Sequence, residues 1–77
     1  MTVYKTIEMM LRAECGVTAP LTPQTRLQED LGLDSVRMLT LAVELENHYQ
    51  IVLGEDPENP PRSLGELTAL VESRLHV

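Results

Sequence analysis

The sequence predicts a small all-α bundle of three main helices, with a long ordered loop between the first two and a proline-rich connection before the last. Three observations lead to this fold class. Apolar residues recur at helical spacing in three segments, no segment alternates strictly between apolar and polar residues, and glycine and proline concentrate in the two connections. The 77 residues suffice for one small domain, which we place over residues 1–77.

The first helix is predicted close to the N-terminus, with a length of about four turns and Gly16 at the C′ position. Its apolar face consists of Val3, Ile7, Met10 and Leu11. The connection that follows, residues 17–34, contains two prolines and Gly32 and is too long for a plain turn. We expect its apolar residues to hold it against the core: Val17, Leu21, Leu27, Leu31 and Leu33.

The second helix is predicted from Ser35 to about Tyr49, where glycine and proline are absent and two apolar stripes follow helical spacing. The broader stripe has the width of a core face and consists of Met38, Leu41, Ala42, Leu45 and Tyr49. The second stripe consists of Val36, Leu39 and Val43. The spacing leaves two interpretations of this stripe open: the helix lies between two neighbours, or it presents the stripe to a partner.

The last helix follows a connection in which Pro57, Pro60 and Pro61 prevent a well-formed helix. Ser63 and Glu66 form a predicted capping box at its start, because each side chain would accept a hydrogen bond from a free backbone N–H. The inward-facing residues of this helix are expected to be Leu67, Leu70, Val71 and Leu75.

Composition and charge exclude several classes of function. Twelve acidic against six basic residues give a formal net charge of −6, which disfavours nucleic-acid binding and favours either basic protein partners or simple solubility. No apolar run approaches the length of a membrane span, and no signal pattern precedes the first helix. Cys15 has no partner for an internal disulfide and is expected at a helix end or buried. We therefore expect a cytoplasmic protein without nucleic-acid or membrane partners.

Catalytic and metal sites are disfavoured by the scarcity of suitable side chains. His48 lies almost four turns from Ser35, at roughly 3.6 residues per turn, and His76 is next to the C-terminus. No Gly-x-Ser-x-Gly nucleophile elbow is present, and two distant histidines with one cysteine lack the spacing of metal ligands. The chain is accordingly predicted to be no enzyme, with no catalytic residue and no metal site.

Ser35 is the main candidate for a functional residue. It follows the acidic, glycine-containing loop Glu29-Asp30-Leu31-Gly32-Leu33-Asp34 and begins the second predicted helix. Free backbone N–H groups and the positive end of the helix dipole favour an anion at such a position. A serine there is well placed to carry a phosphate ester, and the alternative is an unmodified capping serine.

The segment from Glu29 to Ser35, in an acidic chain of this length, resembles the modification site of acyl carrier proteins. The resemblance extends from Tyr4 to about Leu75 and implies an acyl-carrier-like bundle with a short third helix, which the prolines would make irregular here. It further implies that Ser35 carries 4′-phosphopantetheine, attached covalently from coenzyme A. Asp34 would help the transferase and its metal to dock, besides capping the helix.

The same resemblance implies the partners and cargo of a discrete, monomeric carrier. A phosphopantetheinyl transferase would attach the arm, and acyl-loading, synthase and modifying or transferring enzymes would exchange acyl thioesters with it. The surface that meets these enzymes would comprise Val36, Arg37, Leu39, Thr40, Val43 and Glu44. The broader apolar stripe of the second helix would line the core, into which acyl chains can slip in this family.

Departures from the family pattern suggest a specialised pathway. Arg37 and Thr40 stand where carriers of primary fatty acid synthesis usually have acids, only Glu44 and Glu46 keep the negative face, and Val36 stands where leucine is usual. We hypothesise a carrier in polyketide or other secondary metabolism rather than in housekeeping fatty acid synthesis. One alternative is an aminoacyl or peptidyl carrier, although the Gly-Gly usual before the residue preceding the serine is missing. Another is an unmodified, carrier-like helical docking module.

Overall fold

The computed structural model describes residues 2–53 and 61–75. Three α-helices account for most of these residues: α1 (Val3–Glu14), α2 (Ser35–Tyr49) and α3 (Leu64–Leu75). The predicted all-α class and its three main helices are confirmed. The short or irregular third helix was expected in the region of Pro57, Pro60 and Pro61, of which the first two lie outside the described ranges.

Extended structure is limited to one contact in the described part of the chain, an isolated antiparallel bridge between Arg26 and Ser63. Across these same residues, no helix combines the length and the apolarity that crossing a membrane requires. The bridge joins the long loop to the residue just before α3, and it marks the place where the loop is attached to the bundle.

The core is aliphatic, and the long loop contributes to it as well as the helices. Helix α1 packs against both α2 and α3. The buried residues are Ile7, Leu11, Val17, Leu27, Leu33, Leu41, Ala42, Leu45, Leu53, Leu64, Leu67 and Val71. Every apolar residue that the sequence analysis turned inward, in the three helices and in the loop, is buried or half-buried. The loop is therefore ordered by its own apolar side chains, as predicted.

Helix α1 has a cap at each end. The Thr2 hydroxyl accepts a hydrogen bond from the Lys5 N–H at 3.2 Å, and Cys15 is the C-cap. Gly16 follows at the predicted C′ position with φ of +67°, a left-handed conformation that suits glycine. The helix spans 12 residues, so it has about three turns rather than the four expected.

The long loop is fixed to the first turn of α3 by main-chain hydrogen bonds. The Leu64 N–H donates to the Thr25 carbonyl at 2.9 Å, and the Gly65 N–H donates to the Pro23 carbonyl at 2.8 Å. A Cβ at position 65 would lie 3.0 Å from the Pro23 oxygen, so this close approach favours glycine. Because the first N–H groups of a helix have no partner within it, the loop supplies acceptors that α3 needs.

The predicted capping box of α3 is only half formed. The Glu66 N–H donates to the Ser63 hydroxyl oxygen at 3.1 Å, as expected. The Glu66 carboxylate accepts from the Arg62 N–H at 2.6 Å instead of from the Ser63 N–H. The predicted reciprocal bond was therefore wrong by one residue, and the side chain extends the cap further towards the N-terminus.

Leu27 belongs to the long loop, and its side chain is part of the core. Truncating this side chain tests how much the loop contributes to the stability of the fold. We expect Leu27→Ala to lower the free energy of unfolding by about 2–5 kcal/mol, because the side chain is fully buried at 0% exposure. Leu39→Ala is the matched control, since that leucine is 60% exposed and its loss should cost about 0.5 kcal/mol or less. Urea unfolding followed by circular dichroism measures both. Equal, small losses in the two variants would show that the loop packs only loosely.

Candidate functional site

Ser35 is the first residue of α2 and is exposed. The N-cap is Asp34, whose Oδ1 accepts from the Arg37 N–H at 2.9 Å. The Met38 N–H then donates to the Asp34 carbonyl at 2.9 Å, the first bond of the helical ladder. The capping role falls to Asp34 rather than to Ser35, so the cap does not engage the serine hydroxyl. The amides of Ser35 and Val36 precede the ladder and have no acceptor within the helix.

The turn before Ser35 is built by main-chain hydrogen bonds. The Gly32 N–H donates to the Gln28 carbonyl at 3.0 Å, and the Leu33 N–H donates to the Leu27 carbonyl at 3.2 Å. Gly32 has φ of +68°, a conformation that costs a residue with a Cβ roughly 1–2 kcal/mol. Glycine at this position therefore allows the loop to turn tightly. Burial of Leu33 beside it fixes the point at which Asp34 begins the cap.

Arg26 binds both acidic side chains of the same turn. Its guanidinium forms ion pairs with Glu29 and with Asp30, the latter at 3.1 Å from Nη2 to Oδ1. The Arg26 backbone N–H donates to Asp30 Oδ2 at 2.8 Å, and this bond, followed by those from the guanidinium, holds the pKa of Asp30 below its ordinary value. Arg26 was not among the residues predicted for the site, although its spacing of three and four residues from Glu29 and Asp30 is typical of ion pairs.

The second apolar stripe of α2 is exposed. Val36 is 71% exposed, Leu39 60% and Val43 42%, whereas Leu41 and Leu45 on the other side of the helix are buried. Of the two interpretations left open by the sequence, the one that buries α2 between two neighbours is therefore wrong for the described residues. An exposed apolar stripe that begins directly after Ser35 is typical of a docking surface.

The polar residues beside this stripe differ in what they bind. Arg37 and Thr40 are exposed and Glu44 is half-buried. The Thr40 hydroxyl donates to a backbone carbonyl one turn earlier in α2, at 3.0 Å. Glu46, expected on the same negative face, is half-buried like Glu44. Its Oε2 accepts from the N–H of buried Leu53 at 3.0 Å, because a buried amide needs an acceptor.

Cys15 and His48 lie at or near the ends of helices. Cys15 is the half-buried C-cap of α1, as expected, and burial raises the pKa of its thiol despite the opposing effect of Arg37. Such a thiol is protonated near neutral pH and is a poor nucleophile. His48 is exposed near the end of α2 and lies edge-to-face with the Tyr49 ring, with centroids 4.7 Å apart. His76 lies outside the described residues.

Two comparisons with known proteins concern this region of the chain. The family model described as "Phosphopantetheine attachment site" matches residues 5–57, which include the long loop and the start of α2. The acyl carrier protein of Onion yellows phytoplasma (strain OY-M) is 35% identical over 54 residues, which cover 69% of this chain and 71% of the relative. Both similarities extend over most of the chain.

The hydrogen bond by which Asp34 caps α2 can be tested separately from the negative charge of its carboxylate. We expect Asp34→Ala to lower the free energy of unfolding by about 1 kcal/mol, because the Arg37 N–H loses its acceptor. Asp34→Asn should retain most of the stability, since asparagine also caps helices well. Urea unfolding of the three proteins in parallel gives the comparison. Equal losses in both variants would mean that the charge of Asp34, rather than its hydrogen bond, stabilises α2.

Proposed function

The chain belongs to the acyl carrier protein family, whose phosphopantetheine attachment domain it contains, and from this premise we propose that Ser35 is the attachment residue. Members of this family are carriers of covalently bound groups rather than catalysts. The observation that carries the proposal is the exposed hydroxyl of Ser35 directly after the Asp34 cap. The other two serines are engaged in hydrogen bonds, Ser63 as an acceptor at the start of α3 and Ser73 as a donor to the Leu70 carbonyl at 2.7 Å.

The start of α2 fits a phosphodiester on Ser35. The amides of Ser35 and Val36 point out of the helix N-terminus, where the positive end of the dipole stabilises a negative charge. The Asp34 cap satisfies a different amide, that of Arg37, and does not compete for these two donors. When bound, 4′-phosphopantetheine supplies a terminal thiol that holds acyl groups as thioesters.

The attachment step transfers phosphopantetheine from coenzyme A to Ser35 in the active site of a phosphopantetheinyl transferase. The Ser35 Oγ attacks the β-phosphate, and the new Oγ–P bond replaces the bond between the two phosphates of coenzyme A. Adenosine 3′,5′-bisphosphate leaves, and the hydroxyl proton passes to a base of the transferase. The cap uses only Oδ1 of Asp34, so Oδ2 is the oxygen that we expect to contact the transferase or its Mg²⁺.

The exposed face of α2 is proposed as the surface that partner enzymes contact. It consists of Val36, Arg37, Leu39, Thr40, Val43 and Glu44. These residues lie on the same helix as Ser35, so an enzyme that receives an arm attached there must approach the first turns of α2. Their apolar side chains add nothing to the core, and burial against a partner would remove them from water.

The charge pattern of this face supports a pathway other than primary fatty acid synthesis. The exposed Arg37 places a positive charge two residues after Ser35, and Thr40 adds no charge. Glu46 adds a second acid to α2, with its Oε2 bonded to the Leu53 N–H, so that Glu44 is the acid among the proposed contact residues. A partner suited to this pattern needs fewer basic residues than one suited to a fully acidic helix.

Intact mass spectrometry tests the attachment residue. After incubation with coenzyme A, Mg²⁺ and a broad-specificity phosphopantetheinyl transferase, the chain should gain the mass of one phosphopantetheinyl unit. Ser73→Ala should gain the same mass, and Ser35→Ala should gain none, because only the latter loses the attacking hydroxyl. A gain in Ser35→Ala would place the site elsewhere. The absence of any gain with several transferases would favour a non-covalent docking module.

The proposed pathway preference is tested by restoring acids to α2. Arg37→Glu with Thr40→Glu should raise kcat/KM with enzymes of primary fatty acid synthesis by roughly tenfold, because opposite charges speed the encounter of the two proteins. Gln24→Glu with Gln28→Glu is the control, since it adds two acids at exposed positions of the loop. An unchanged rate in the first variant, or an equal gain in both, would contradict a local electrostatic preference.

A further inference from the structure

Leu53 is held from both sides by side chains of opposite charge. Its side chain belongs to the core and is 1% exposed. Its N–H donates to Glu46 Oε2 at 3.0 Å, and its carbonyl accepts from Nε and Nη2 of Arg74 at 3.1 and 3.0 Å. Glu46 belongs to α2 and Arg74 to the last turn of α3. One buried residue is therefore bonded to two helices at once.

The seam between α2 and α3 depends on this residue. Helix α1 packs against both other helices, whereas direct contact between α2 and α3 is sparse. Leu53, which follows α2 in the chain, fills part of this seam with its side chain and joins the two helices through its main chain.

The two ends of α3 are attached by bonds of different kinds. At its start, Leu64 and Gly65 donate main-chain hydrogen bonds to the loop, and Leu64 is fully buried. At its end, the attachment is made by the side chain of Arg74, which is exposed to solvent. Water competes for an exposed guanidinium, and its long side chain loses conformational entropy when it is fixed. The end of α3 is therefore the end that releases more easily.

We propose that Glu46 and Arg74 form a latch on Leu53, and that release of this latch opens the seam between α2 and α3 as a local unit while α1 stays packed. The two side chains bind opposite polar groups of the same residue. If Arg74 is lost, the Leu53 carbonyl is buried without these donors, which favours its movement towards water. That movement also draws the Leu53 N–H away from Glu46, so the two bonds break together.

The latch has a consequence that rests on the proposed function. An apolar group tethered at Ser35 gains from contact with the aliphatic core only if the core becomes accessible. An opening at the α2–α3 seam would provide that access without unfolding of the whole bundle. The strength of the latch would then set how often the core is available to the cargo.

Amide hydrogen exchange measured by NMR tests the latch in the Ser35→Ala background, where attachment of the arm plays no part. Arg74→Met keeps an unbranched apolar stem and removes both donors to the Leu53 carbonyl. We expect the Leu53 amide, which Arg74 does not touch, to exchange about 10-fold faster or more, as expected for losing hydrogen bonds to a charged group. The Leu11 and Leu41 amides should be nearly unchanged. Arg37→Met, at an exposed position of α2, is the matched control.

Two outcomes of this measurement would overturn the latch. An unchanged Leu53 amide in Arg74→Met would show that the two bonds are independent. An equal acceleration of Leu11, Leu41 and Leu53 would show that Arg74 stabilises the whole fold rather than one seam. Neither outcome bears on Ser35, whose modification is measured by mass, so failure of the latch and failure of the proposed function remain distinguishable.

A double-mutant comparison provides a second measurement. With the Val71 amide of α3 as the probe, Glu46→Ala and Arg74→Met should each accelerate exchange. The double variant should be no faster than the faster single variant, because either change releases the same unit. An acceleration equal to the product of the two single effects would contradict a common latch.

Discussion

The position of Ser35 depends on the docking of the long loop onto the first turn of α3. The N–H groups that begin a helix need acceptors from outside it, and the loop supplies them with the carbonyls of Pro23 and Thr25. Leu27 continues this docking, because its N–H donates to the Arg62 carbonyl and its own carbonyl accepts a hydrogen bond from the Leu33 N–H. The start of α2 is thus set by the start of α3, far away in the sequence.

Within α2, the division between a buried and an exposed stripe separates folding from recognition. Leu41 and Leu45 contribute apolar burial, whereas Val36 and Leu39 remain largely in water and gain little from folding. Folding therefore does not explain their apolar character, and the proposed contact with a partner would. The order Asp34-Ser35 has a similar logic: since the aspartate provides the cap, the serine hydroxyl does not have to. Reversing the two residue types would use the hydroxyl for capping.

Helical spacing predicted α2 to the residue and the inward faces of all three helices, because burial of an apolar stripe is decided along the helix itself. The φ values of Gly16 and Gly32 were likewise predictable from local backbone requirements. The partner of Glu46 was not, because its acceptor role depends on a main-chain amide that only the tertiary fold brings near. The sequence around a long polar side chain on a helix is the same whether that side chain contacts a partner protein or another residue of its own chain.

The two kinds of attachment in this bundle suit the opposing needs of a carrier. As the proposed attachment residue, Ser35 must keep a fixed position for the enzymes that use it, and the main-chain docking near Leu27 provides this rigidity. A core that accepts cargo of varied shape must repack, and here the core is aliphatic, with the flexible side chains of Met10 and Met38 packed against it. In the proposed latch, side-chain bonds hold Leu53 near the far end of α2, so that the α2–α3 seam would open while the docked loop stays in place. The rigid part and the adaptable part are then located at opposite ends of α2, so that opening at one end leaves the other end fixed.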